Sequence, residues 1–213
     1  MDKGCPMDAF DLREYRSLYQ LCQTILDYFP HGEFSTTPGY QEADTEEFVL
    51  AAVDFDAQNI MVDDEGNVTG FLDWDKIETV PAYMGWQRLP FFLCEDWLQS
   101  YAYPRHPHHL SPPEYNHYRR IYAKCLKDAC GTEQGCEYTE MSGIFTAFKE
   151  ALGDKKAMMD FMFKVFKIIL PAVDFNVFMT SFELDNGGYG LELRPDVEKL
   201  LREKLAELLI PRR

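Results

Sequence analysis

Apolar residues recur at helical spacing through Phe10, Leu12, Tyr15, Leu18, Tyr19, Leu21, Cys22, Ile25, Leu26 and Phe29, so an amphipathic helix is expected over about residues 9–29. Pro30-His31-Gly32 ends it. The next stretch, to about Thr45, mixes Gly, Pro, Ser and Thr and reads as loop. Phe48-Val49-Leu50-Ala51-Ala52-Val53 is then a continuous apolar run, partly β-branched, and reads as a short buried strand. Residues 60–63 and 68–72 are two further short strands, joined by Asp64-Glu65-Gly66-Asn67 into a β-hairpin. From Pro81 to Trp97 aromatics and prolines crowd together without a period, which predicts irregular backbone packed on the core. Beyond that the pattern is helical again. Pro112-Pro113 opens a helix over roughly 113–129, and two more follow over about 138–152 and 155–170. Asn186-Gly187-Gly188 marks a turn, and Pro195 stands early in a last helix running to about Leu209, with an apolar face of Leu200, Leu201, Leu205, Leu208 and Leu209. The fold class expected is α+β, mainly helical, in a single domain over 1–213.

Charge narrows the function. Lys and Arg total 21 against 36 Asp and Glu, a formal charge of -15, so the surface repels polyanions and offers no general footing for nucleic acid or an anionic membrane. The N-terminus has no apolar run of the signal-peptide kind, and the most apolar later stretch, Ala157 to Val173, is interrupted by Asp160, Lys164 and Lys167. The six cysteines, at 5, 22, 94, 125, 130 and 136, have no C-x-x-C spacing and read as reduced thiols, so a cytoplasmic placement is expected. His106, His108, His109 and His117 fall in or near a Pro-rich segment without cysteine and read as an incidental polar loop rather than a zinc or nickel site. Trp74 and Trp86 are assigned to core packing.

One stretch carries chemistry. Asp54 follows the first strand, Asn59 comes five residues later, and Asp73 follows the hairpin. An acid, an amide and a second acid in this order suit phosphoryl transfer, which needs an aligned hydroxyl and cations held where charge builds. Asp54 is the candidate to accept or orient the proton of the acceptor. Asn59 and Asp73 supply the hard oxygen ligands that magnesium prefers. Asp56 and Asp75 add negative charge close by in sequence, which attracts a cationic substrate, whereas Asp64 and Glu65 read as a solvated turn.

Asp54-Phe55-Asp56-Ala57-Gln58-Asn59 and Leu72-Asp73-Trp74 resemble the aminoglycoside phosphotransferase and choline-kinase-like family, especially its fungal-type branch. In that family a strand leads to a His-x-Asp-(Leu/Phe)-x-x-x-Asn loop, then a hairpin and an Ile-Asp-Trp segment. The likeness extends through Val80-Pro81, Gly85 and Glu95-Asp96-Trp97, covering about residues 47–100 well and the rest loosely. It implies a protein-kinase-like large lobe whose short β-hairpin carries the catalytic loop, with Asp54 as catalytic base and Asn59 and Asp73 as magnesium and nucleotide ligands. It further implies Mg2+ and ATP as cofactors, and a small hydroxylated acceptor, often cationic in this family. Two departures accompany it. Ala52 stands where the family usually has a loop-steadying His, and upstream of Phe48 no Gly-rich hairpin or strand Lys appears, Lys3 being the one Lys before Lys76. The expectation is therefore a large lobe lacking the small nucleotide-binding lobe, with self-association or a partner at the face so left open. Two functions follow: an ATP-dependent phosphotransferase incomplete or impaired in this chain, or a non-catalytic binding or regulatory pseudokinase-like protein.

Overall fold

The helical periods fold as helices. The computed structural model describes residues 9–30, 48–52, 54–131, 136–179 and 195–211, with backbone alone for 9–16. The longer α-helices among them are α1 (Ala9–Leu26), α2 (Pro112–Cys130), α3 (Ser142–Ala151), α4 (Lys155–Ile169) and α5 (Pro195–Leu209). The strands among them are β1 (Phe48–Ala52), β2 (Ile60–Val62), β3 (Val68–Phe71) and β4 (Ile77–Pro81). The protein is thus α+β and mainly helical. The turn read at Asn186-Gly187-Gly188, the loop to Thr45 and the surroundings of Lys3 and Cys5 lie outside the described residues.

The contacts divide the chain into two compact units. In the first, α1 buries Leu18, Leu21, Cys22 and Ile25, α4 buries Met158, Phe161, Met162, Val165, Phe166 and Ile169, and α5 buries Leu201, Leu205 and Leu209. These sets repeat every three to four residues, the spacing that one apolar helix face requires. Arg202 of α5 donates to Asp27, just past the end of α1, at 2.8 Å and to Glu198 at 2.8 Å.

The second unit holds the strands, α2 and α3. β1 pairs antiparallel with β4, from Phe48 opposite Pro81 to Ala52 opposite Ile77. β2 pairs antiparallel with β3, with a register shift between Met61 and Val62. Here the structure corrects the sequence reading. β4 was not foreseen, and β1 is not a buried strand: Val49, Ala51 and Val80 pack inward with Tyr83 and Met84, while Phe48 and Leu50 are exposed. A single two-stranded ribbon has one inner face, so alternate residues must point away from it.

Between β4 and α2 the backbone is irregular, as the crowded aromatics imply, and takes three short 3-10 turns, Ala82–Met84, Phe91–Leu93 and Glu95–Trp97. Ser142, first residue of α3, pins this segment: its hydroxyl accepts from the Leu89 N–H at 2.8 Å and donates to the Thr139 carbonyl at 2.8 Å. Arg119 of α2 pins it again, donating to the Leu93 carbonyl at 2.8 Å and pairing with Asp96, both side chains nearly buried. Trp74 and Trp86, expected in the core, are both exposed.

Candidate phosphoryl-transfer loop

Nested pairing builds the site. Because β2 and β3 form a hairpin inserted between the paired strands β1 and β4, the connections entering and leaving the hairpin must run side by side. The first connection carries Asp54 and Asn59 and the second carries Asp73 and Lys76. Three contacts bridge them. The Leu72 N–H donates to the Asn59 carbonyl at 2.8 Å. Lys76 Nζ lies 3.4 Å from Asp54 Oδ2. The rings of Phe55 and Phe71 meet edge to face, centroids 5.6 Å apart.

Side chains and neighbouring backbone hold each turn of the first connection. Asp56 caps the 3-10 turn Ala57–Asn59, its carboxylate accepting from the Ala57 N–H at 2.7 Å. That role suits a short acidic side chain with extended backbone. Asn59 is only 9% exposed, and its Nδ2 donates to the Asp54 carbonyl at 2.8 Å. The Phe91 N–H reaches the Phe55 carbonyl at 2.9 Å, and the Arg88 guanidinium donates to the Ala52 carbonyl. Four carbonyls or caps along 52–57 are therefore held by groups from within and outside the loop. Burial lowers the Arg88 pKa from its usual value, opposed by the negative charge of nearby acidic groups, Glu150 and Glu78 among them. Glu150 shows the converse, its carboxyl raised mainly by burial.

Asp73 is the single residue other than glycine found at positive φ among the described residues, at 57°. Asp tolerates this region better than most side chains, and such conformations gather at functional turns. Trp74 follows, its indole N–H closing on the Phe71 carbonyl at 3.1 Å. Across the hairpin Asp63 organises the turn: its carboxylate accepts from the Glu65 N–H and from the backbone and side chain of Asn67. Those bonds, the Asn67 side chain foremost, hold its pKa below the ordinary 3.8.

The structure thus brings the segments of Asp54, Asn59 and Asp73 together. An amide oxygen and a carboxylate are hard donors, the chemistry that magnesium takes while keeping most of its waters. Among the described residues no group of three or more His, Cys, Asp or Glu is arranged to hold a metal. His106 stacks on His109 at 4.2 Å, and His109 Nδ1 accepts from the Ala102 N–H at 2.9 Å, so these imidazoles serve the packing of their own loop. Sequence reasoning missed Arg88 and Lys76. No local signal marks Arg88, whereas Lys76, the lone base in an acidic stretch, was open to notice.

Cys22 and Cys94 are buried, and burial pushes both thiols up to about 12, so neither is a thiolate at neutral pH. Comparison with family models, with curated proteins and with solved structures returns no match.

Proposed function

We propose that this chain is the catalytic half of a kinase-like phosphotransferase that moves the γ-phosphate of ATP to a hydroxyl of a small molecule. The observation that supports this most is the nesting of the β2–β3 hairpin inside the β1–β4 ribbon, which sets the Asp54–Asn59 loop against the Asp73–Lys76 loop. In this reading Asp54 orients the acceptor hydroxyl and takes its proton. Asn59 holds the loop through Nδ2 and turns Oδ1 to the metal, and Asp73 supplies the second ligand. A bound magnesium ion neutralises charge on the phosphates. Asp56 and Asp75 favour an acceptor that carries an amine. The purchase on adenine and on the α- and β-phosphates comes from elements other than those described above.

The Lys76 contact favours a second reading. A carboxylate already paired with a lysine is what a non-catalytic scaffold would keep, and a pseudokinase-like binding protein is the alternative.

Manganese, used as a paramagnetic stand-in for magnesium, separates the two. The wild type is expected to bind it weakly without nucleotide, and Asp73→Ala to lose that binding. Equal affinity in both would remove the metal site and leave the second reading.

A further inference from the structure

An antiparallel ribbon with one face on the core and one in water alternates apolar inward and polar outward residues. The β1–β4 ribbon breaks this rule. Its inward positions are Val49, Ala51, Val80 and Glu78, of which the first three are packed and Glu78 is exposed and pairs with Lys149 of α3 at 3.2 Å. Its outward positions, set by the register, are Phe48, Leu50 and Ala52 opposite Pro81, Thr79 and Ile77, among which only Thr79 is polar. Leu50 is 70% exposed, Phe48 55% and Ile77 47%. The adjoining hairpin adds Val62, Val68, Phe71 and Trp74, all exposed. Two-stranded ribbons are marginal by themselves in water, and exposed apolar area of this kind marks a surface that something covers.

Charge selects the occupant. Residues 48–81 hold eight Asp and Glu against a single base, Lys76. A second copy of the chain carries a formal charge of -15, so it would bring like charge to like. Residues 31–47 are no better matched, with five Asp and Glu and neither Lys nor Arg. We propose that the outward face of the β1–β4 ribbon, with the adjoining hairpin, docks a separate protein whose apolar contact surface is framed by Lys and Arg. Apolar burial then supplies affinity, and the acidic frame supplies steering and partner choice. This proposal makes no use of phosphoryl transfer, so it stands or falls apart from that reading.

The test uses two amphipathic peptides that share one leucine face and carry either lysine or glutamate on the other, titrated calorimetrically into the full chain without nucleotide or metal. The lysine peptide is expected to bind on the order of tenfold or more tightly than the glutamate peptide at low ionic strength, with the gap narrowing as salt screens the charges. Leu50→Thr with Ile77→Thr keeps strand-forming residues and the net charge, and is expected to abolish the binding. If the double variant fails to fold, Leu50→Thr alone serves, at a position already largely in water. Equal binding of both peptides, binding of neither, or binding that survives the threonine changes would overturn the proposal. So would a dimer on sizing chromatography that the same changes dissolve, because the face would then take a second copy.

Discussion

Arg88 carries a cost that the sequence does not reveal. Its guanidinium is partly buried, which lowers its pKa, yet it stands 36 residues from the carbonyl of Ala52 that it serves. That carbonyl ends β1, so the entry to the loop is held from a distant part of the chain. Such a bond has no periodic signature, which is why spacing could name Asp54, Asn59 and Asp73 as candidates, whose segments the structure brings together, and could not name Arg88. Hydrogen bonds from charged groups contribute about 1.5–3 kcal/mol, so Arg88→Met is expected to lower stability by about that amount in urea unfolding. Hydrogen exchange at 54–59 should accelerate beyond the global change, and uniform acceleration would mean that Arg88 does not act on this loop. Asp63 gives a pH-dependent counterpart. A carboxyl whose folded pKa is depressed contributes stability that is present above its unfolded value and lost as pH falls through the folded one. The hairpin turn is therefore expected to loosen only below about the ordinary pKa of aspartate. Carboxyl NMR should find Asp63 titrating below 3.8 in the wild type and shifted part of the way back up in Asn67→Ala, since the Asn67 side chain is the largest cause of the shift and the backbone bonds remain.

Elements were legible where their period ran long. The spans of α2 to α5 follow from apolar residues at helical spacing with Pro at the entry of α2 and α5, and Gly131 ends α2 in the left-handed region at φ 67°. β4 was not legible: Ile77-Glu78-Thr79-Val80-Pro81 is five residues long, opens beside Lys76 and ends in proline, too short for alternation to stand out. β1 was read as buried because an apolar run is what a buried strand looks like, and sequence cannot distinguish a strand covered by its own chain from one left for another. What seats the ribbon is a close approach. A Cβ at Gly85 would lie 2.2 Å from Val49 Cγ2, and a second contact at 3.1 Å to the Ala82 carbonyl leaves it no way around. Overpacking of this sort costs about 1–3 kcal/mol, so Gly85→Ala should unfold earlier in urea by that margin. Val49→Ala in the same chain should recover part of the loss, and an unchanged midpoint for Gly85→Ala would mean that β1 is seated by other contacts.

At the scale of the whole molecule, catalysis asks for more than a well-held loop. In the proposed reading the Asp54, Asn59 and Asp73 segments would supply a base and metal ligands, but among the described residues no Gly-rich hairpin leads to a strand lysine. An adenine with one wall missing forfeits about 2–3 kcal/mol, taking ~25 cal/mol per Å2 over roughly 100 Å2 of apolar contact. The phosphates lose backbone donors and a cation as well, and removal of a single preorganised donor costs about 10²–10³ in rate. These losses multiply, because each acts on the same transition state. The isolated 213-residue chain is therefore expected to fold yet show no useful phosphotransfer from ATP to amino sugars, choline-like alcohols or other hydroxylated amines. In any longer or assembled form that does turn over, Asp54→Asn should cost about 10²–10⁴-fold, the usual contribution of a positioned base. Asp54-dependent turnover by the isolated monomer would mean that some segment of this chain rebuilds the nucleotide site, and the outer faces of β1 and β2–β3 would be the first surfaces to search for it.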